Sequence, residues 1–167
     1  MTSPFVAILM GSDSDLPVMQ ATIDILKQFD ITHEVRVRSA HRTPDAAKAY
    51  VKDAEERGCK VFICAAGLAA HLAGAVAGMT TRPVIGVPVD CGPLQGHDAL
   101  LSTVMMPGGI PVATVAIGKA GAKNAGYLAA QILGVADQSM ADKVKAERIA
   151  NAKALLAKDD AMQTKLS

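Results

Sequence analysis

Two short segments carry most of the chemistry this chain could perform. Ser39-Ala40-His41-Arg42-Thr43-Pro44 sets an imidazole beside a guanidinium. Histidine gives or takes a proton near neutrality, and the arginine fork matches the oxygens of a phosphate. Gly11-Ser12-Asp13-Ser14-Asp15 supplies a tight turn, two hydroxyls and two acids. Free N–H groups at the start of a following helix would cradle a phosphate, with Ser12 and Ser14 as added donors. Asp15 would repel a phosphate and suits a sugar hydroxyl. Helix capping by Ser14 or Asp15 accounts for the same residues, and His41 also fits a surface position beside a cap. By position alone His71 reads as a core or interface histidine with a satisfied hydrogen bond. His33 and His97 have no convergent neighbours in the sequence. No HxxxH or Asp/Glu–His cluster marks a metal site. The expected chemistry is therefore proton transfer and positioning, with no metal and no cofactor.

The elements that must hold these segments show in the hydrophobic pattern. Val6–Met10 and Val61–Ala65 are apolar runs that predict buried strands, as does Pro83–Val89. His33–Arg38 alternates, as a strand with one polar face or an edge strand does. A fifth strand is expected over Val112–Ile117. Helices are expected from near Asp15 to Phe29, from the Thr43-Pro44 start to Arg57, from the Gly67 turn through Met79, over His97–Met105 and over Lys119–Leu133. Met106–Pro111 is a Gly/Pro-rich turn, and Met105 and Met106 are expected to pack. The alternation implies a parallel sheet between two helix layers, a three-layer α/β/α fold of flavodoxin-like strand order 2-1-3-4-5. Ligands of such sheets bind beyond the carboxyl ends of the strands, where both segments lie. The domain is expected over 1–136. Residues 137–167 form a charged helical extension whose Met140, Val144, Ile149, Ala152, Leu155 and Leu156 suggest a stripe against the same or a neighbouring subunit. A solvated, frayed helix fits the same residues.

Composition narrows the partners. Half of the 167 residues are hydrophobic, and 17 Lys+Arg against 16 Asp+Glu leave a net charge of +1. Nothing in that balance attracts nucleic acid or an anionic membrane. Aromatics are 3% with no Trp, against a stacking platform for single strands. Cys59, Cys64 and Cys91 are odd in number and lack CxxC spacing, which suits a reducing cytoplasm and packing as small apolar groups. The start, Met1–Gly11, lacks a basic region before its apolar run and reads as a first strand. Val61–Thr81 and Ala99–Gly118 lack acids and bases, but their Ala, Gly, Pro and His content reads as strand–turn–helix units, with no membrane span.

The ordered motifs Gly11–Asp15, Ser39–Pro44, Ala70-His71-Leu72, Pro107–Val112 and Ala116–Asn124 resemble those of the class I PurE proteins, the N5-carboxyaminoimidazole ribonucleotide mutases of purine synthesis. The likeness covers nearly all of residues 5–134. It implies a homo-octamer with sites between subunits, and transfer of a carboxyl group to form 4-carboxy-5-aminoimidazole ribonucleotide without metal, ATP or biotin. It implies that His41 is the catalytic histidine and that Ser12, Asp15 and Arg42 bind the nucleotide. Ser39 corresponds to a phosphate-loop serine and His71 to a histidine near the carboxylate pocket. Ser14, Gly67, Ala70 and Leu72 complete the expected substrate-binding set. Ala69, Ala70, Gly108 and Gly109 would leave space for CO2. The third loop departs from some members at Leu68 and Ala73, where those carry Gly and Pro.

Three other readings fit less of the chain. A receiver domain needs a phosphorylatable Asp after the third strand, where Ala65-Ala66-Gly67 stands. A flavin carrier needs an aromatic wall, and Tyr50 and Tyr127 fall inside helices. A purely structural oligomer leaves the polar rim unexplained. Direct carboxylation of aminoimidazole ribonucleotide by CO2 is the near alternative, and Ala70-His71-Leu72 favours the mutase.

Overall fold

The computed structural model describes residues 4–166. The first three residues of the expected opening strand, and Ser167 of the extension, lie outside them. Five strands form one parallel sheet in the order β2-β1-β3-β4-β5, as the alternation of elements predicted. They are β1 (Phe5–Met10), β2 (His33–Val37), β3 (Cys59–Ala66), β4 (Val84–Pro88) and β5 (Ala113–Thr114). The helices are α1 (Leu16–Gln28), α2 (Pro44–Glu56), α3 (Leu72–Ala77), α4 (His97–Val104), α5 (Gly118–Gly134) and α6 (Gln138–Leu166). Register runs Ile8 beside Val35 and Ile63, then Ile63 beside Ile85, then Ile85 beside Ala113.

Strand residues point alternately to the two faces, and each face has its own core. Val6, Ile8, Met10, Val61, Ile63, Ile85 and Val87 meet α1 and α5. Phe5, Ala7, Leu9, Phe62, Cys64 and Val84 meet α2 and α3. Small residues bring α1 and α5 together: a Cβ on Gly126 would lie 2.8 Å from Ile25 Cβ, and Thr22 Oγ1 donates to Ala122 O at 2.6 Å. The central strands are buried on both sides, whereas β2 is half exposed and is an edge.

Several elements are shorter than their hydrophobic runs. The fifth strand pairs only at Ala113–Thr114, because the chain already bends into α5. The first turn of α5 backs onto that bend so closely that a Cβ on Gly121 would lie 1.6 Å from Ala116 O. The third helix starts at Leu72, after an irregular passage in which Leu68 takes φ 54. His71 thus occupies the helix N-cap and is exposed, so it is no core histidine. Thr43 stands at the N-cap of α2 without a side-chain cap bond. Its hydroxyl instead donates to Ser39 O and accepts from Ser39 N–H, at 3.1 and 3.0 Å. Met105 is 78% exposed and packs little, while Met106 lies over Gly74. Cys59 and Cys64 are buried; Cys91 is half-buried.

The extension is one continuous helix among the described residues. Its start is tied to its own domain: Met140 is buried and Val144 packs on the α1–α5 core. Lys143 pairs with Asp30 at 2.9 Å, and Tyr127 OH donates to Glu147 at 3.2 Å. Beyond that, Ile149, Leu155 and Leu156 are exposed, so the six-residue stripe is split into a packed and an unpacked part. Among the described residues no helix is long and apolar enough to cross a membrane.

Candidate active site

A cavity of about 420 Å3 opens beyond the carboxyl ends of β1 and β3. This is where the chain turns to opposite sides of β1, the switch point at which such sheets bind ligands. Four loops line it. The loop after β1 gives Gly11, Ser12, Ser14 and Asp15; the loop after β2 gives Ser39, Ala40, His41 and Arg42. The passage after β3 gives Ala66, Gly67, Leu68, Ala69, His71 and Leu72, and the loop after β4 gives Cys91.

The first loop is a 3-10 turn over Asp13–Asp15 with a reciprocal cap. Ser12 N–H donates to Asp15 Oδ2 at 3.0 Å, while Ser14 N–H reaches Ser12 Oγ and Asp13 Oδ1 at 3.3 and 3.1 Å. Asp15 N–H donates to Ser12 O. The turn therefore uses internally the N–H groups expected to cradle a phosphate, because Asp15 folds back as an acceptor. Ser14 Oγ donates to Ser12 Oγ at 2.9 Å, and Asp15, at the N-cap of α1, makes no side-chain cap bond to that helix. Asp15 is buried. Burial pushes its carboxyl above the usual aspartate value, against the opposing pull of the Ser12 and Gly11 backbone and of Arg42.

The second loop carries the cation. Ser39 is buried, and its Oγ accepts from Arg42 N–H at 3.1 Å. With the two Thr43 bonds, this pins the backbone of the loop. Arg42 Nη2 donates to Gly11 O at 2.8 Å, joining the first two loops. Among the described residues Arg42 pairs with no carboxylate, so its charge remains available to an anion. His41 Nε2 and His71 Nδ1 are 2.8 Å apart, their rings edge to face at 84°. The third loop passes tightly beneath: a Cβ on Gly67 would lie 2.1 Å from Cys91 Sγ, so only glycine fits while that thiol stays in place.

Nine of the ten expected site residues line this one cavity: His41, Ser12, Asp15, Ser39, Arg42, Ser14, Gly67, His71 and Leu72. Ala70 does not. It is 1% exposed and lies beneath the floor, where its carbonyl accepts from Thr103 at 3.5 Å. Gly108 and Gly109 are also elsewhere; Gly109 lines a separate groove beside Thr80–Val84. The reading from sequence gave no binding role to Ala40, Ala66, Leu68 and Cys91, all of which line the cavity. The first three sat inside segments already singled out. Cys91 had a usable signal, since it follows β4 directly on the same rim. Among the described residues no group of three or more His, Cys, Asp or Glu could hold a metal ion. The arrangement offers proton transfer by an imidazole, an anion-binding guanidinium, hydroxyl donors and one buried carboxyl.

Comparison with known proteins finds matches over most of the chain. The family described as AIR carboxylase matches residues 5–154. An N5-carboxyaminoimidazole ribonucleotide mutase of Thermotoga maritima is 58% identical over 142 residues, 85% of this chain and 82% of that protein. One from Mycobacterium tuberculosis is 52% identical over 160 residues, 96% of this chain and 91% of that protein. The crystal structure of Treponema denticola PurE superposes with a TM-score of 0.85 at 34% identity, covering 95% of this chain and 98% of that one.

Proposed function

The chain belongs to the AIR carboxylase family, and from that premise we propose that it is an N5-carboxyaminoimidazole ribonucleotide mutase acting in purine biosynthesis. It is an isomerase that moves a carboxyl group from the exocyclic nitrogen of the substrate to C4 of the imidazole. The observation that carries this reading is the meeting of His41, Arg42, Ser39, Ser12 and Asp15 in one cavity, in a chain more than half identical to enzymes of that name.

The residues divide the work by their chemistry. Arg42, with Ser39 and Ser12, binds the phosphate of the nucleotide, and Asp15 accepts from a ribose hydroxyl. His41 in its protonated form donates to the carbamate nitrogen. The N–C bond then breaks, leaving aminoimidazole ribonucleotide and CO2. The cavity confines the CO2 beside C4, which replaces a bimolecular encounter by a positioned one. C4 attacks the CO2 carbon, and His41, now neutral, removes the C4 proton and restores the aromatic ring. The proton lost in the first step is regained in the second, so the enzyme ends as it began.

Incubation with N5-carboxyaminoimidazole ribonucleotide, without ATP and with EDTA, yields the 4-carboxy product by ultraviolet absorbance. No product in that arm, with product formed from aminoimidazole ribonucleotide and bicarbonate, reassigns the chain to direct carboxylation, the activity after which the matching family is described. The copies assemble as a homo-octamer, for which the exposed Leu94, Leu101, Met105, Leu155 and Leu156 provide apolar contact surface; light scattering gives the mass. Three free cysteines support a cytoplasmic location.

A further inference from the structure

The 2.8 Å between His41 Nε2 and His71 Nδ1 holds one hydrogen. If both nitrogens were protonated, two N–H groups would face each other and the bond would break. The rings meet edge to face with centroids 4.9 Å apart, so this single N–H···N bond, without stacking, joins them. Among the described residues neither ring bonds to any carboxylate. The charged and titratable groups that share the cavity with the pair are Asp15, Arg42 and Cys91. Asp15 is turned to Ser12 N–H and Arg42 to Gly11 O. Each imidazole therefore has the other as its fixed partner. His71 is itself held, since its N–H donates to Ala69 O at 2.9 Å and its carbonyl accepts from Ala75 N–H at 2.9 Å.

We propose that His71 is the positioning residue for His41, setting the tautomer and orientation of the catalytic ring through that one shared hydrogen. The hydrogen bond made by one ring nitrogen decides what the other carries. With Nε2 engaged on His71, Nδ1 is the nitrogen of His41 whose proton is not committed to the pair. The role rests on the mutase reading and adds to it: an acid–base imidazole with no carboxylate behind it is aimed by a second imidazole.

The test uses the full chain labelled with 15N-histidine. In the wild type the two His41 nitrogens report one tautomer, and in His71→Ala they average between two. In turnover His71→Ala lowers kcat by about 10- to 100-fold, the scale of a misplaced catalytic group, and changes KM little. His71→Asn, whose amide group stands near the place of Nδ1 and can keep one hydrogen bond to His41 Nε2, recovers most of kcat and restores the single tautomer signal. Circular dichroism checks that each variant folds. Unchanged His41 signals in His71→Ala overturn the proposal. So does a raised KM with unchanged kcat, which would make His71 a substrate contact only. The spectroscopic arm needs no substrate, so absent turnover by the wild type counts against the activity and not against the pairing.

Discussion

Two polar clusters flank the loop and helix that follow β2, and they spend their charge in opposite ways. In the first, on the body of the edge strand, the Glu34 carboxylate accepts from two Arg57 nitrogens. It also accepts from Tyr50 OH at 2.9 Å. Arg57 Nε reaches Asp53 at 2.8 Å, and its guanidinium lies over the Phe5 ring. Each of Glu34, Tyr50, Arg57 and Asp53 is bonded to another of the four. The Arg57 hydrogen bonds hold the Glu34 carboxyl below the usual glutamate value, and burial, followed by Glu34, pushes Tyr50 up. In the second cluster, on the carboxyl rim, Arg42 has a backbone carbonyl as partner and His41 has another imidazole. Burial outweighs hydrogen bonding at Asp15, so its carboxyl moves up where that of Glu34 moves down. A charge matched inside the protein steadies the fold; a charge left with a neutral partner can be offered to a ligand.

Substitutions sharpen that contrast. The largest effect is expected from His41→Asn, which loses about 100- to 10,000-fold in kcat while its Tm stays within a few degrees of the wild type. A normal rate in that variant would break the comparison at its functional end. Gly67→Ala comes next, since its Cβ would drive into the Cys91 thiol. It costs about 1–3 kcal/mol in denaturant unfolding, as overpacking does, and the double variant with Cys91→Ala regains most of that.

Glu34→Gln tests the other cluster. Turnover at 25 °C is unchanged, while Tm at pH 7 falls. The sign with pH follows from linkage: a carboxyl held low when folded contributes its full stability above the usual value of 4.5 and loses it as pH drops through the depressed value. The wild-type advantage over Glu34→Gln therefore shrinks on acidification. An advantage that grew instead would show the pair to be strained. Asp15 has the opposite sign, its raised value making the folded state less stable as pH rises between the usual aspartate value, 3.8, and the raised one. The smallest effect is expected at Leu68, a non-glycine residue at φ 54. Leu68→Gly relieves a left-handed backbone and raises stability by less than about 1 kcal/mol, offset by the chain freedom that glycine brings to the unfolded state.

Most of the architecture was legible because buried parallel strands are written as apolar runs closed by turn residues. Phe5–Met10, Val61–Ala65 and Val84–Pro88 are such runs, buried on both sides. The loops singled out as carriers of chemistry do lie together on the rim, since every strand of a parallel sheet ends on the same edge. Legibility failed where local pattern competes with close packing. Val112–Ile117 has the composition of a strand, but the contact of Gly121 with Ala116 O bends it away after two paired residues. Thr43 has the chemistry of a cap, yet Ser39 takes its hydroxyl.

By itself the amino-acid sequence determined the strand order, the two helix layers, the rim loops and the family resemblance, because hydrophobic period, turn residues and contiguous motifs are properties of neighbours along the chain. Only the tertiary structure decided that His41 and His71, 30 residues apart, share a hydrogen, that Gly67 lies against Cys91 and that Ala70 falls beneath the floor. Such contacts depend on strand stagger, on the path of an irregular loop and on side-chain direction. Spacing along a chain does not encode those.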